Sequence, residues 1–190
     1  MDVTNIVLHA KKHQRSFYLE FLYLVMEAVH AVPEMRMRIK GKDAVLFDTI
    51  HPSYTIMKNN GVFDTCRHEM SHVYGEFYAR GAEAIALRKC HEDDGEEFND
   101  DRIDLVYISS LPWLDVTSMT HPLPLGDHEN LSIPRISWGK YTEKDGRYTL
   151  TFHITAHHAL ADGKELCDCI LILQKLLDAV DTENPEIQGC

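Results

Sequence analysis

The feature that most limits what this chain can become is a corner. Seven residues, His157-His158-Ala159-Leu160-Ala161-Asp162-Gly163, lie between a strand pattern and a helix pattern. Upstream, Tyr148, Leu150, Phe152 and Ile154 alternate with Thr149, Thr151, His153 and Thr155, the period of a strand with one buried face. Downstream, Leu166, Ile170, Leu173, Leu177 and Val180 recur at helical spacing, and Asp162 followed by Glu165 has the form of an N-cap and its capping-box partner. A histidine pair at a strand end is rigidly mounted, and imidazole is the side chain whose ordinary pKa lies nearest neutrality, so the corner suits proton transfer. Gly163 permits a tight turn or the close approach of another group. On these residues alone, the plainer reading is that Asp162 serves only as a cap, with the histidines as polar loop residues.

The rest of the chain reads as mixed helices and strands. Asp2 can cap a short helix through about His13, and residues 16–32 form a long helix with Phe17, Phe21, Leu24, Val25, Ala28 and Val32 on a buried stripe, ended by Pro33. Strands are expected over 35–39, 44–48 and 54–58, and a helix over 74–89 whose regularity Gly75 and Gly81 weaken. Residues 91–102 are dense in carboxylates and read as a solvated loop. A strand over 103–109 is stopped at Leu111-Pro112-Trp113, and Pro122, Pro124 and Gly126 mark a connector. Residues 131–141 and 147–155 read as a hairpin across Glu143-Lys144-Asp145-Gly146, and the final helix closes near Val180, leaving 181–190 as a loose tail. The expectation is one α/β (α+β sandwich) domain over 1–190, and 190 residues with 44% hydrophobic content suffice for a single core.

A net charge of -11 argues against nucleic acid or an anionic membrane as the main partner, since either needs a basic face. The odd set Cys66, Cys90, Cys167, Cys169 and Cys190, without a secretory leader, points to free thiols in a reducing cytoplasm. The most apolar stretch, 17–32, is short for a membrane span and interrupted by Glu20, Glu27 and His30.

The corner resembles the HHxxxDG signature of CoA-dependent acyltransferases. A narrower match comes from Glu34-Met35-Arg36-Met37-Arg38, Ile108-Ser109-Ser110-Leu111-Pro112-Trp113 and Lys140-Tyr141. In that order and spacing the chain resembles the chloramphenicol acetyltransferases, from about Asp2 to Leu177. The resemblance implies a mixed β-sheet flanked by helices, a homotrimer, and direct transfer of acetyl from acetyl-CoA to a hydroxyl of chloramphenicol or a similar acceptor, with no tightly bound cofactor. His158 would then be the catalytic base and His157 structural, Ser109 would stabilise the oxyanion, and Ser137 would stand where the family has a threonine holding a water. Lys140 would lie near the CoA entrance, and Tyr107 stands where the family often has asparagine. In the family the Asp162 position is buried against an arginine from an N-terminal segment to which the resemblance does not extend. Asp162 is therefore expected to find another partner or to be exposed. The acceptor-covering aromatics of that segment likewise have no counterpart, so weak chloramphenicol binding is expected. An acyltransferase with another acceptor and a truncated, inactive subunit are the alternatives.

A competing motif is His68-Glu69-Met70-Ser71-His72, a formal HExxH that on a helix could place two histidines on zinc, with Glu69 as base and Glu92 as a third ligand. The resemblance runs through this segment on both sides and implies no metal there. Trp113 and Trp138 read as packing residues.

Overall fold

A computed structural model describes residues 1–90, 102–121 and 126–189. The fold is built on α2 (Phe17–His30), in which every residue from Leu19 to Val29 is buried, well beyond the single stripe expected. A helix apolar on so much of its circumference must be covered on all sides. It is covered by α1 (Thr4–Lys12), α3 (Tyr74–Cys90) and α5 (Gly163–Asp178), and by a five-stranded sheet. Ser16 caps α2 by accepting from the Leu19 N–H.

The sheet contains β3 (His51–Met57), β4 (Phe63–Arg67), β5 (Leu105–Leu111), β6 (Arg135–Gly139) and β9 (Phe152–Thr155), in the order β4-β3-β5-β6-β9. The inner pairs β3–β5 and β5–β6 are parallel and the outer pairs antiparallel, so the sheet is mixed. Tyr54, Ile108, Ile136 and Trp138 point into the core, where Tyr18 and Phe21 of α2 meet the Tyr54 and Trp138 rings. Side chains alternate along a strand, so Thr55, Ser109, Ser137 and His153 are on the face turned away from α2. A two-stranded ribbon, β1 (Met37–Lys40) with β2 (Asp43–Leu46), is tied to the sheet by Arg38. The buried Arg38 guanidinium donates to the carbonyls of Met35, Met37, Ile103 and Leu105.

Several boundaries differ from the sequence expectation. Pro33 opens a short 3-10 turn, Pro33–Arg36, which delays the first strand to Met37. Strand β4 carries no alternating pattern, because only Cys66 in it is buried, and it was not anticipated. Residues expected to begin a strand at 131 instead end the short helix α4 (His128–Leu131). The expected long hairpin is split: β6 and β9 pair in the main sheet, while β7 (Thr142–Lys144) and β8 (Arg147–Thr149) form a separate tip ribbon around Asp145-Gly146. Both turn residues have positive φ, 53° and 78°, as a tight two-residue hairpin requires. Asp2 lies one residue outside the expected capping position, since Val3 precedes α1, yet its carboxylate still accepts from the Thr4 N–H at 2.9 Å.

Past α5, the segment expected as a loose tail lies against α1 and α2. Ile187 is buried, and the Asn184 and Thr182 carbonyls accept from His9 and His13 at 2.9 and 3.1 Å. The contacts arise because His9 is fully buried and its second ring nitrogen needs an acceptor. The acidic stretch 91–101, the prolines at 122 and 124, and Cys190 lie outside the described residues. No helix among the described residues is long and apolar enough to cross a membrane.

Candidate active site

The strand register places the expected site residues in a row. Ser109 is the direct neighbour of Ser137, and Ser137 of His153, on adjacent strands about 4.8 Å apart. On the other side of Ser109, the Thr55 hydroxyl lies 3.4 Å from the Ser109 hydroxyl. Ser137 is fully buried and its hydroxyl is hydrogen-bonded to His121 Nε2 at 3.1 Å. The His121 and His153 rings are 6.2 Å apart, and burial, then His153, pushes the His121 pKa below the ordinary histidine value. His153 Nδ1 is buried without a partner. Next along, Tyr107 pairs in register with Arg135, whose guanidinium lies over the Tyr107 ring. Neither His121 nor His153 stands out in the sequence. The first follows no periodic pattern, and the second occupies an ordinary polar position of an alternating strand.

The corner is a separate construction. The His157 carbonyl accepts from the Leu160 and Ala161 N–H groups at 2.9 and 3.1 Å, and its Nδ1 accepts from Ala159. His157 is thereby tied into the turn, while the adjacent His158 side chain is exposed. Among the described residues, no hydrogen-bond partner holds either His158 ring nitrogen. Asp162 is exposed and serves as the N-cap of α5: it accepts from the Lys164 N–H at 3.1 Å, and Glu165 accepts from the Asp162 N–H in return. The Lys164 N–H, with a smaller contribution from nearby His158, holds the Asp162 carboxyl below its usual pKa. No arginine pairs with Asp162 among the described residues, so of the two expected outcomes exposure is the one found.

The register also separates these parts. His158 is five residues beyond His153, past the end of β9, toward the end of the sheet where β5 and β6 begin. Within one chain, then, Ser109 meets Thr55 and not His158.

A groove of about 540 Å³ opens at the end of β5 and β6, lined by Phe17 and Tyr18 of α2 and by Ser110, Trp113, Lys140, Tyr141 and Lys89, with Thr55 as its one contact with the row. Lys140 is exposed. Of the two tryptophans expected to pack, Trp138 does, at 3% exposure, whereas Trp113 is 55% exposed and presents its ring in the groove. The difference follows from position. Trp138 faces inward in the middle of β6, while Trp113 comes after the Pro112 turn that ends β5.

The HExxH reading is overturned. Residues 68–72 lie in an irregular connector between β4 and α3, so the two histidines share no helix face. His68 is buried and hydrogen-bonded to the Tyr54 hydroxyl at 3.0 Å, His72 is bonded to Glu27 at 2.7 Å, and Glu69 pairs with Arg102. No group of three metal-ligating side chains occurs among the described residues, and Glu92 lies outside them. The buried His68 has a consequence for stability instead. Burial lowers the His68 and His30 pKa values to about 4 from 6.5, so unfolding binds protons between those two values. Stability is therefore full above about pH 6.5 and falls as the pH drops toward 4. Urea midpoints measured across this range should decline, and less steeply in His68→Gln; a flat profile would contradict the burial of neutral rings.

A sequence profile described as chloramphenicol acetyltransferase matches residues 1–174. A chloramphenicol acetyltransferase from Escherichia coli is 26% identical over 180 residues, covering 94% of this chain and 80% of that protein. One from Bacillus pumilus is 27% identical over 184 residues, covering 95% and 81%. A solved chloramphenicol acetyltransferase structure superposes with a TM-score of 0.80 at 28% identity over 93% of this chain and 84% of that one. A probable dihydrolipoamide acetyltransferase from Listeria monocytogenes, at a TM-score of 0.67 and 12% identity over 98% and 84% of the two chains, shares the fold. With the mixed sheet and the whole-chain match in agreement, the chain belongs to the chloramphenicol acetyltransferase family.

Proposed function

We propose that this protein is an acetyl-CoA-dependent O-acetyltransferase that acts between the copies of a homotrimer, with His158 of one copy serving the Ser109 row of the next. The observation that carries this reading is the separation of the parts. The one unengaged histidine of the corner is exposed at one place, and the hydroxyl row is on a sheet face elsewhere in the same chain. Residues 1–190 act as one transferase domain, and acetyl-CoA is a co-substrate found in the cytoplasm. Chloramphenicol, which gives the family its name, is the first acceptor to test, and its acetylation would confer resistance to the antibiotic.

In this reading an unprotonated His158 nitrogen removes the proton from the acceptor hydroxyl as that oxygen attacks the thioester carbonyl. The tetrahedral oxyanion accepts a hydrogen bond from the Ser109 hydroxyl. Collapse re-forms the carbonyl and breaks the C–S bond; the CoA sulfur leaves with the electron pair and takes the proton back from His158. No acyl-enzyme forms. Lys140 and Lys89 supply cations for CoA phosphates in the groove, and the exposed Trp113 ring offers a face for its adenine. Asp162 contributes by fixing the start of α5, and so the corner that carries His158.

Release of free CoA thiol from acetyl-CoA on addition of chloramphenicol is the direct test; release with another hydroxyl acceptor alone would keep the transfer chemistry and discard that acceptor. Ser109→Ala should lower kcat about 100-fold with little change in KM, as expected of a contact made chiefly in the transition state. A loss confined to KM would remove Ser109 from that role. Sedimentation should give a trimer, and an active monomer would contradict the shared site.

A further inference from the structure

Three features of the Ser109 row are not accounted for by acetyl transfer itself. His153 Nδ1 is buried without a hydrogen-bond partner, although buried polar atoms are ordinarily paired. His121 reaches across from another part of the chain to bond Ser137. The two rings stand 6.2 Å apart beside the hydroxyls of Ser137, Ser109 and Thr55. From this geometry we infer that His121 and His153 form the specificity-determining part of the acceptor subsite, and that the acceptor is a neutral, hydroxyl-rich molecule of the polyol or sugar class.

The row spans about three strand spacings, roughly 14 Å; Ser137 is buried and holds His121, and the His121–His153 end, with 6.2 Å between the rings, has the extent of a single sugar ring. Each of these groups can both donate and accept, which matches a hydroxyl and is wasted on an apolar ring. An anionic acceptor would call for a fixed cation, and the nearest guanidinium, that of Arg135, is buried with its donors on the Ile133 and Asn130 carbonyls and the Asn130 side chain. Burial also disfavours the charged form of His121, so that ring acts as a neutral hydrogen-bonding group. A hydroxyl donating to His153 Nδ1 would satisfy the orphaned atom on binding, and an acceptor without that hydroxyl would leave it unpaired. Hydrogen-bonding sites of this kind discriminate strongly against analogues that lack the group.

This inference takes its chemistry from the proposed acetyl transfer and is tested by binding as well as by turnover. Methyl glucoside, as the neutral polyol probe, is titrated into the intact protein while the imidazole proton resonances of His121 and His153 are followed, assigned through His121→Leu and His153→Leu. Both resonances should shift together and saturably. In the transfer assay each variant should lose about 10- to 100-fold in kcat/KM for the polyol, mainly through KM, and should lose a clearly smaller factor for chloramphenicol. Shifts without turnover would sustain the subsite and remove the acetyl-transfer reading. Turnover of chloramphenicol with no shift, or equal losses for both acceptors, would overturn the subsite while leaving acetyl transfer in place.

Discussion

His158→Ala lowers kcat by about 10³-fold at saturating acetyl-CoA while leaving the urea midpoint unchanged, because a positioned general base contributes about 10²- to 10⁴-fold and the His158 side chain is exposed and unbonded. His157→Ala should behave differently. Its ring accepts from the Ala159 N–H and braces the turn, so its loss should loosen the corner and lower kcat only in part. Steady-state kinetics with circular dichroism on both variants separates the two roles. Equal losses in two folded variants would remove the assignment of His158 as the base.

The largest effect on stability is expected at Arg38. This side chain has no solvent exposure, and burial lowers its pKa to about 10, which still leaves it charged at neutral pH. Its guanidinium reaches carbonyls on both sides of the β1–β5 junction: Met35 and Met37 on the ribbon side, Ile103 and Leu105 leading into the sheet strand that carries Ser109. Arg38→Met fills similar volume but withdraws every donor, so those carbonyls lose their partner in a place water does not readily reach. A loss of about 3–5 kcal/mol is expected, comparable to breaking a buried charged network. Arg38→Lys should recover little of it, because one ammonium cannot serve carbonyls that a planar fork bridges. Urea unfolding of the two variants decides this, and a loss below about 1 kcal/mol would mean that the ribbon is anchored by something else.

What the sequence made legible was what is local. The α2 stripe, the Asp145-Gly146 turn and the Asp162–Glu165 capping box each depend on residues within a few positions of one another, and each is in the structure. The order of motifs was also enough to indicate the family and its mixed sheet. Long-range pairing was less accessible. Strand β4 follows no buried alternation, and the split of the 131–155 hairpin depends on β6 and β9 joining a larger sheet. The HExxH motif shows the converse error: its spacing suits zinc only on a helix, and the Tyr54 hydroxyl and Glu27 carboxylate that engage its histidines come from distant segments. His121 was missed for the same reason, since its partner Ser137 lies sixteen residues away and no local period links the two.

The central claim, that a working site combines His158 of one copy with Ser109 of another, is tested most directly by co-expressing the two inactive variants. In a closed ring of three, every mixed trimer of His158→Ala and Ser109→Ala subunits contains one interface at which an intact His158 faces an intact Ser109. Random assembly from equal amounts should then restore about a quarter of wild-type activity, from two preparations that are each nearly inert. Activity that stays at the sum of the separate variants, with mixed trimers verified by differential tagging, would contradict the shared site and place both residues in the service of one chain.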